Sequence, residues 1–471
     1  MSVVFLKRCL FLLTSLFCAA ALLLGSASCE IKDPLAENEQ TTETAAQIER
    51  DLSAFESPEE AKVYTRAGGN LSDGWWYDSA EFYFEKEYEG KTFKTAFRYN
   101  LQDERYEPVC RDPICMHKSG EYSQCPFALG GEILFVENGV VYYTGIHKQK
   151  AGFLEHCAFY SYDLNTMRHT ELFEYYRMIQ DRAFWHSGDF IYYTTSEMND
   201  DMTYTRSLCR FDLRAGKSST LGVIDRIETE TPTSLDLMTM RYENAVYPCL
   251  VTEDGKILFD TIDPALLYRK VMEDGFEVNE NTDYHQYSIA TVDDPQNLQA
   301  LGEPFISALP VFYLRNGTLY TLTDNINEYP KPEEIHLMMI DLETGEQTVR
   351  HEKITREFVI HGDYLYYQEA DGGQPIMISS AGEEPHQMST YASGRIVKEN
   401  LQTGEKTFYD LPSSEEGVPN CIMIDGYDSG RLILSGWFAK SPEDPDVYIP
   451  NYGGHAVFDM VENKIYPLGD A

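Results

Sequence analysis

His361-Gly362-Asp363-Tyr364-Leu365-Tyr366-Tyr367 is a turn residue, a glycine and a run of bulky strand formers, and six other stretches repeat it. The copies are Asn138-Gly139-Val140-Val141-Tyr142-Tyr143, Ser187-Gly188-Asp189-Phe190-Ile191-Tyr192-Tyr193, Asp254-Gly255-Lys256-Ile257-Leu258-Phe259, Asn316-Gly317-Thr318-Leu319-Tyr320 and Ser429-Gly430-Arg431-Leu432-Ile433-Leu434. A looser first copy, Asp78-Ser79-Ala80-Glu81-Phe82-Tyr83-Phe84, has lost its glycine. Further along each unit comes a second echo, a strand that ends in a polar turn. It reads Phe97-Arg98-Tyr99-Asn100-Leu101, Tyr160-Ser161-Tyr162-Asp163-Leu164, Cys209-Arg210-Phe211-Asp212-Leu213 and Met339-Ile340-Asp341-Leu342-Glu343-Thr344-Gly345. Tyr287 to Asp293, Ile396 to Gly404 and Ala456 to Met460 fill the other places. The Asp or Asn is a turn former whose side chain bonds to the backbone ahead of it.

Each unit therefore predicts four antiparallel strands, with one strand before the glycine turn and another after the Asp turn. Successive turn glycines from Gly139 to Gly430 are 49, 67, 62, 45 and 68 residues apart. A propeller blade needs about 40 to 50 residues, so the excess goes into loops. One such sheet has two apolar faces and cannot bury them alone; stacking the sheets around an axis buries each against its neighbours. The expected fold is all-β: a seven-bladed β-propeller of four-stranded blades, with six or eight as the alternatives. The blades are expected at 68–129, 130–177, 178–232, 233–303, 304–354, 355–415 and 416–471. In each Tyr-Tyr pair, one ring is expected to face inwards and the other outwards.

Aromatics make up 13% of the chain, including 33 Tyr, which suits strands. The formal net charge of −39 speaks against a nucleic-acid partner, because such binding rests on Lys and Arg neutralising phosphates. It speaks equally against an anionic membrane surface as ligand. An acidic surface also keeps an exported protein soluble.

Residues 1–29 read as a processing segment. Lys7 and Arg8 form a positive start, Leu10 to Leu24 is apolar and uncharged, and Gly25-Ser26-Ala27-Ser28-Cys29 is a small-residue stretch ending in Cys. That stretch resembles the lipobox of bacterial lipoproteins, which implies that Cys29 is acylated and becomes the new N-terminus. It departs from the family in having Ser26 where Leu usually stands, with Leu24 two places earlier. Ordinary signal cleavage at the same small residues is the alternative. Beyond residue 28 no run of 18 apolar residues remains, so the expectation is an anchored chain rather than a spanning one. Residues 30–67 read as an acidic flexible tether, with a possible short helix over 45–55 and a helix start at Ser57-Pro58-Glu59-Glu60.

One cluster carries sharp chemistry. Cys110-Arg111-Asp112-Pro113-Ile114-Cys115-Met116-His117, followed by Cys125-Pro126-Phe127, supplies three thiols and an imidazole. Cys110, Cys115, His117 and Cys125 suffice for a structural zinc site of the Cys3His kind, with no open position for chemistry. A disulfide from Cys110 or Cys115 to Cys125 fits equally, since exported proteins live where thiols pair. Free thiols are the third reading. Seven cysteines follow Cys29, so pairing cannot consume all of them, and Cys157, Cys209, Cys249 and Cys421 look like buried strand residues. The Cys/His segment behind a lipoprotein signal resembles a group of exported propeller lipoproteins of Gram-positive gut bacteria, and the blades more distantly resemble TolB-type propellers. That resemblance implies a seven- or eight-bladed propeller at the cell surface and leaves its activity open.

Signals for catalysis are weak. There is no Gly-x-Ser-x-Gly elbow, no glycine-rich phosphate loop and no His-Glu-x-x-His. His351, His361, His386 and His455 are scattered, and read as turn or surface residues. Trp75-Trp76-Tyr77 can serve as a sugar platform but reads better as packing between blades. Asn199-Asp200-Asp201 and Glu443-Asp444-Pro445-Asp446 lack the alternating ligands of a calcium loop. Insertions at Pro264 to Tyr284, Gly372 to Ser393 and Ala439 to Gly453 each interrupt the hairpin between second and third strands, so all three should crowd one face of the ring. The expectation is a lipid-anchored, extracytoplasmic module on the outer face of the bacterial cytoplasmic membrane. It would bind a glycan, peptide or envelope protein without catalysis. The alternatives are an accessory subunit of an envelope complex and a polysaccharide-active hydrolase or lyase.

Overall fold

In a computed structural model the described residues are 63–65, 74–77, 80–88, 91–100, 105–117, 125–129, 131–149, 154–178, 184–201, 203–227, 246–262, 283–307, 312–323, 335–370, 375–378, 386–389, 392–411, 417–418, 423–440 and 447–468. Every regular element among them is a strand. They form seven sheets, each built on four antiparallel strands taken in chain order. The first sheet runs from Gly74–Tyr77 to Arg105–Pro108, the second from Ile133–Glu137 to His169–Met178, and the third from Phe184–Ser187 to Lys217–Ile227. The fourth spans Val246–Val251 to Asp294–Ala300, the fifth Phe312–Arg315 to Gln347–Glu352, the sixth Ile354–His361 to Lys406–Asp410 and the seventh Met423–Asp428 to Lys464–Leu468. The first strands of sheets one and two, three and four, six and seven, and seven and one touch, so the ring closes around an axis lined by first strands. The chain is a seven-bladed β-propeller.

The two sequence echoes are the two turns at one end of each blade, and they are bonded to each other. Gly139, Gly188, Gly255, Gly317, Gly362 and Gly430 all have positive φ. Asn138, Asn316 and Ser429 share that conformation, so both central residues of those hairpin turns are left-handed, the geometry for which Asn-Gly is favoured. In the second turn, Asp163, Asp212, Asp341, Asn400 and Asp459 each accept two backbone N–H groups from the residues two and three positions ahead. The next residue then donates its N–H back to the glycine turn: Leu164 to Gly139, Leu213 to Asp189, Leu342 to Gly317, Leu401 to Asp363 and Met460 to Gly430, at 2.8–3.1 Å. This bond ties the first hairpin of a blade to its second.

No single core exists; apolar clusters lie between blades. One joins blades one and two around Val109, Phe127, Tyr143 and Tyr162, and another joins two and three around Phe159, Tyr193 and Phe211. Larger clusters run through blades three to five and five to seven. Both rings of a Tyr-Tyr pair are therefore covered: Tyr143 packs towards blade one and Tyr142 towards blade three. Tyr192, Tyr193, Tyr366 and Tyr367 are all buried. The outward member meets the next blade where a two-layer sandwich would leave it wet.

Two departures from a plain ring bear on function. Within the segment read as a tether, Val63–Thr65 is a strand that pairs antiparallel with Phe312–Arg315, on the axial edge of blade five. The insertions of blades six and seven build a common sheet. The hairpin Pro375–Ile378 with His386–Ser389 pairs in parallel with the start of Val447–Asp459, through Met377 to Val447 and Ile378 to Tyr448. Gly417–Val418 adds to the other side of this projection, on Arg431–Lys440. The fourth-blade insertion, Cys29, Cys421, the 45–55 and 57–60 helices and the Glu443 to Asp446 loop lie outside the described residues. So do the side chains of Trp75, Trp76 and Tyr77.

Candidate metal centre

The connection from blade one to blade two brings Cys110, Cys115, His117 and Cys125 together. One ligand atom from each of the four lies within 4.8 Å of all the others. Two short turns make the convergence. Asp112 opens the first: its backbone carbonyl accepts the N–H of Cys115 and its Oδ1 that of Ile114, both at 3.0 Å. Pro113 follows, the residue type pre-set for the second position of such a turn. Cys125-Pro126-Phe127-Ala128 repeats the device, with the Ala128 N–H donating to the Cys125 carbonyl at 3.1 Å. His117 takes a left-handed φ of 49°, and its N–H donates to Cys115 Sγ at 3.4 Å.

Blade two supplies the floor. Tyr143 donates its hydroxyl to the Pro126 carbonyl at 2.8 Å, and the Arg111 N–H donates to the Tyr162 hydroxyl at 3.4 Å. Cys110 and Cys125 are buried with Phe127, Tyr143 and Tyr162, and Cys115 packs on the same cluster half-exposed. Between the ligands, Arg111, Asp112, Ile114 and Met116 point to solvent. Burial pushes the Cys110 thiol up and that of Cys125 up to about 12; the backbone N–H groups of Asp112 and Phe127 oppose it, and the Cys115 sulfur adds to it at both. The imidazole Nδ1 of His117 is buried with no hydrogen-bond partner.

Cys157, Cys209 and Cys249 are buried strand residues. Among the described residues this is the one group of Cys, His, Asp and Glu with metal-binding geometry. Among the described residues no other histidine joins it. His351 contacts Glu399 at 2.6 Å, and His361 stacks on Tyr427. Asn199 donates to the hydroxyls of Thr203 and Thr205, and Asp201 accepts from Thr203 and from the Arg226 guanidinium. The sequence pointed to the four residues that converge here; the orphaned Nδ1 and the left-handed His117 backbone have no signature in it.

No protein-family model and no curated protein matches the chain by sequence. Solved structures with a similar fold include the β-propeller domain of the Trilobed protease from Pyrococcus furiosus, which has an open velcro topology (12% identity over 85% of this chain and 98% of that one, TM-score 0.40). Oligogalacturonate lyase from Vibrio parahaemolyticus covers 84% of this chain and 94% of its own at 11% identity, with a TM-score of 0.36. An uncharacterized protein from Listeria monocytogenes covers 88% and 96% at 10% identity and a TM-score of 0.39. These likenesses concern architecture alone, and the seven sheets themselves carry the assignment of this chain as a β-propeller.

Proposed function

We propose that this propeller is a lipid-anchored, extracytoplasmic binding module that recognises a glycan, peptide or envelope protein through its insertion-bearing face and performs no chemistry on it. The carrying observation is the projecting sheet, in which a hairpin inserted in blade six pairs with the extended third strand of blade seven. Neutral loop growth has no reason to produce backbone pairing between insertions of different blades, whereas a rigid platform for a ligand needs it. Strand direction alternates within a blade, so connections leaving second and fourth strands emerge at the same end of the ring. The projection and the Cys/His connection therefore share a face. The apolar, positively started residues 1–28 and Cys29 support export and acylation.

The test uses the full chain on arrays of bacterial surface glycans and peptides, beside a variant with 372–391 replaced by a short Gly-Ser turn. Saturable binding that the variant loses, with thermal unfolding unchanged and no shortened products, supports the reading. Binding that survives the replacement, or release of cleaved glycan, overturns it. Palmitate labelling in bacterial cells that vanishes in Cys29→Ala checks the anchor separately.

A further inference from the structure

We propose that Cys110, Cys115, His117 and Cys125 hold one thiophilic divalent cation, zinc by its chemistry, in a closed site that fastens the connection between the first two blades. The inference is independent of what the insertion-bearing face binds. Zinc takes thiolate sulfur at about 2.3 Å and imidazole nitrogen at about 2.0–2.1 Å in a tetrahedron, so its donors stand about 3.3–3.8 Å apart. The four donors here already lie within 4.8 Å of one another, and small side-chain rotations close the remainder.

A second observation points into the same space. Nδ1 of His117 is buried without a partner, and a buried unpaired polar atom is destabilising because it has given up water for nothing. His117 also holds φ at 49°, a left-handed region that is sterically unfavourable for a non-glycine residue. A structural metal offsets both costs. A satisfied core histidine would show neither.

The connection also needs a fastener. Ile114 is 83% exposed and Met116 73% exposed, so the large apolar side chains of this loop contribute nothing to its packing. What holds the loop is the inward row of ligands on the floor of Tyr143 and Tyr162. Loading breaks three S–H bonds and forms three metal–sulfur bonds and one metal–nitrogen bond. Three protons leave to solvent, His117 stays neutral, and the site carries a net charge of −1. Nothing is oxidised or reduced, and four protein ligands leave no position for substrate. A disulfide would need an oxidant, would consume two of three sulfurs and would leave Nδ1 still unpartnered.

The decisive experiment measures zinc and reactive thiols on the full chain purified without chelator. One zinc per chain is expected in the wild type, falling at least tenfold in Cys115→Ser and in His117→Ala, both changes at the half-exposed rim. Cobalt in place of zinc should give the visible absorption of a tetrahedral thiolate site. If the variants do not fold, the wild type alone decides. Chelation should make three further thiols per chain titratable, and added zinc should protect them again. A Cys110–Cys125 disulfide found by mass spectrometry, metal retained in both variants, or thiol reactivity unaltered by chelation would overturn the proposal.

Discussion

Arg206 shows how single residues hold this ring. It is 1% exposed, and its guanidinium donates to both carboxylate oxygens of Asp225, at 2.8 and 2.5 Å, and to the Val246 carbonyl at 2.6 Å. Asp225 in turn accepts the Val246 N–H at 3.0 Å, so the pair grips both backbone groups of the first strand of blade four from the last strands of blade three. Arg315 makes a similar grip on blade six, through the Gly362 carbonyl and Asp363. Removing the acid leaves a fully buried cation without that counter-charge and with its bond to a carbonyl, whereas removing the base leaves a less buried carboxylate still bonded to an N–H. Asp225→Ala should therefore cost about 3–5 kcal/mol in urea unfolding and Arg206→Met distinctly less; equal losses would mean that the clasp acts by packing alone. Glu399 adds a pH dependence. Burial alone would raise its carboxyl, but His351 and Arg350 outweigh burial and hold it below the ordinary range. Its contribution is therefore complete above the unfolded value of about 4.3 and is lost as pH falls through the lower folded value. Glu399→Gln should lower the melting temperature at pH 6 by more than at pH 3, and a constant difference would exclude the linkage. None of these pairs was legible in the sequence. With 77 acidic and 38 basic residues, partners across blades have no local mark.

At the scale of elements the sequence spoke clearly where the physics is local. Asp341 and Asn400 read as turn formers, and each caps two N–H groups as their side-chain chemistry requires. Cys110, Cys115, His117 and Cys125 were legible for the same reason, since two Pro-containing turns bring close residues closer. The Tyr-Tyr pairs were half legible: alternation gave opposite faces, but not that each face meets another blade. Glycines in the second turn separate two effects. Gly345 and Gly404 both have φ of 73°, and both donate N–H to the residue that opens their turn. A Cβ on Gly404 would meet nothing within 4 Å, while one on Gly345 would sit 3.0 Å from the Gly302 backbone nitrogen. Gly404→Ala should therefore cost only the left-handed penalty of about 1 kcal/mol, and Gly345→Ala measurably more. Chemical denaturation of the two variants compares them, and equal costs would show that the blade-four contact at Gly302 yields freely.

For the whole molecule, the repeat predicted how many blades there are but not how the chain start is used. A three-residue strand has no periodicity to read, and a partner some 250 residues away leaves no local trace. Val63–Thr65 lies on Phe312–Arg315, with Val63 opposite Arg315 and Thr65 opposite Tyr313. All four strands of blade one come from 74–108 and all four of blade seven from 423–468, so among the described residues no blade mixes strands from the two chain ends. The only described strand that crosses from the chain start to a distant blade is 63–65, and the edge it covers faces the axis. It pairs backbone groups along the edge of Phe312–Arg315 that the second strand of blade five leaves open. Tyr64→Pro removes the backbone N–H of the central residue of this strand, a donor that a paired strand needs. Arg315 stays gripped by Gly362 and Asp363 in that variant, so blade five should remain folded while its edge opens. Hydrogen exchange by mass spectrometry should then show peptides covering 312–315 exchanging roughly tenfold faster, the factor expected for about one lost hydrogen bond. Peptides over 133–137 in blade two serve as the internal reference and should not change. Faster exchange throughout would make this strand a latch for the whole ring, and unaltered exchange at 312–315 would mean that the strand does not protect that edge in solution.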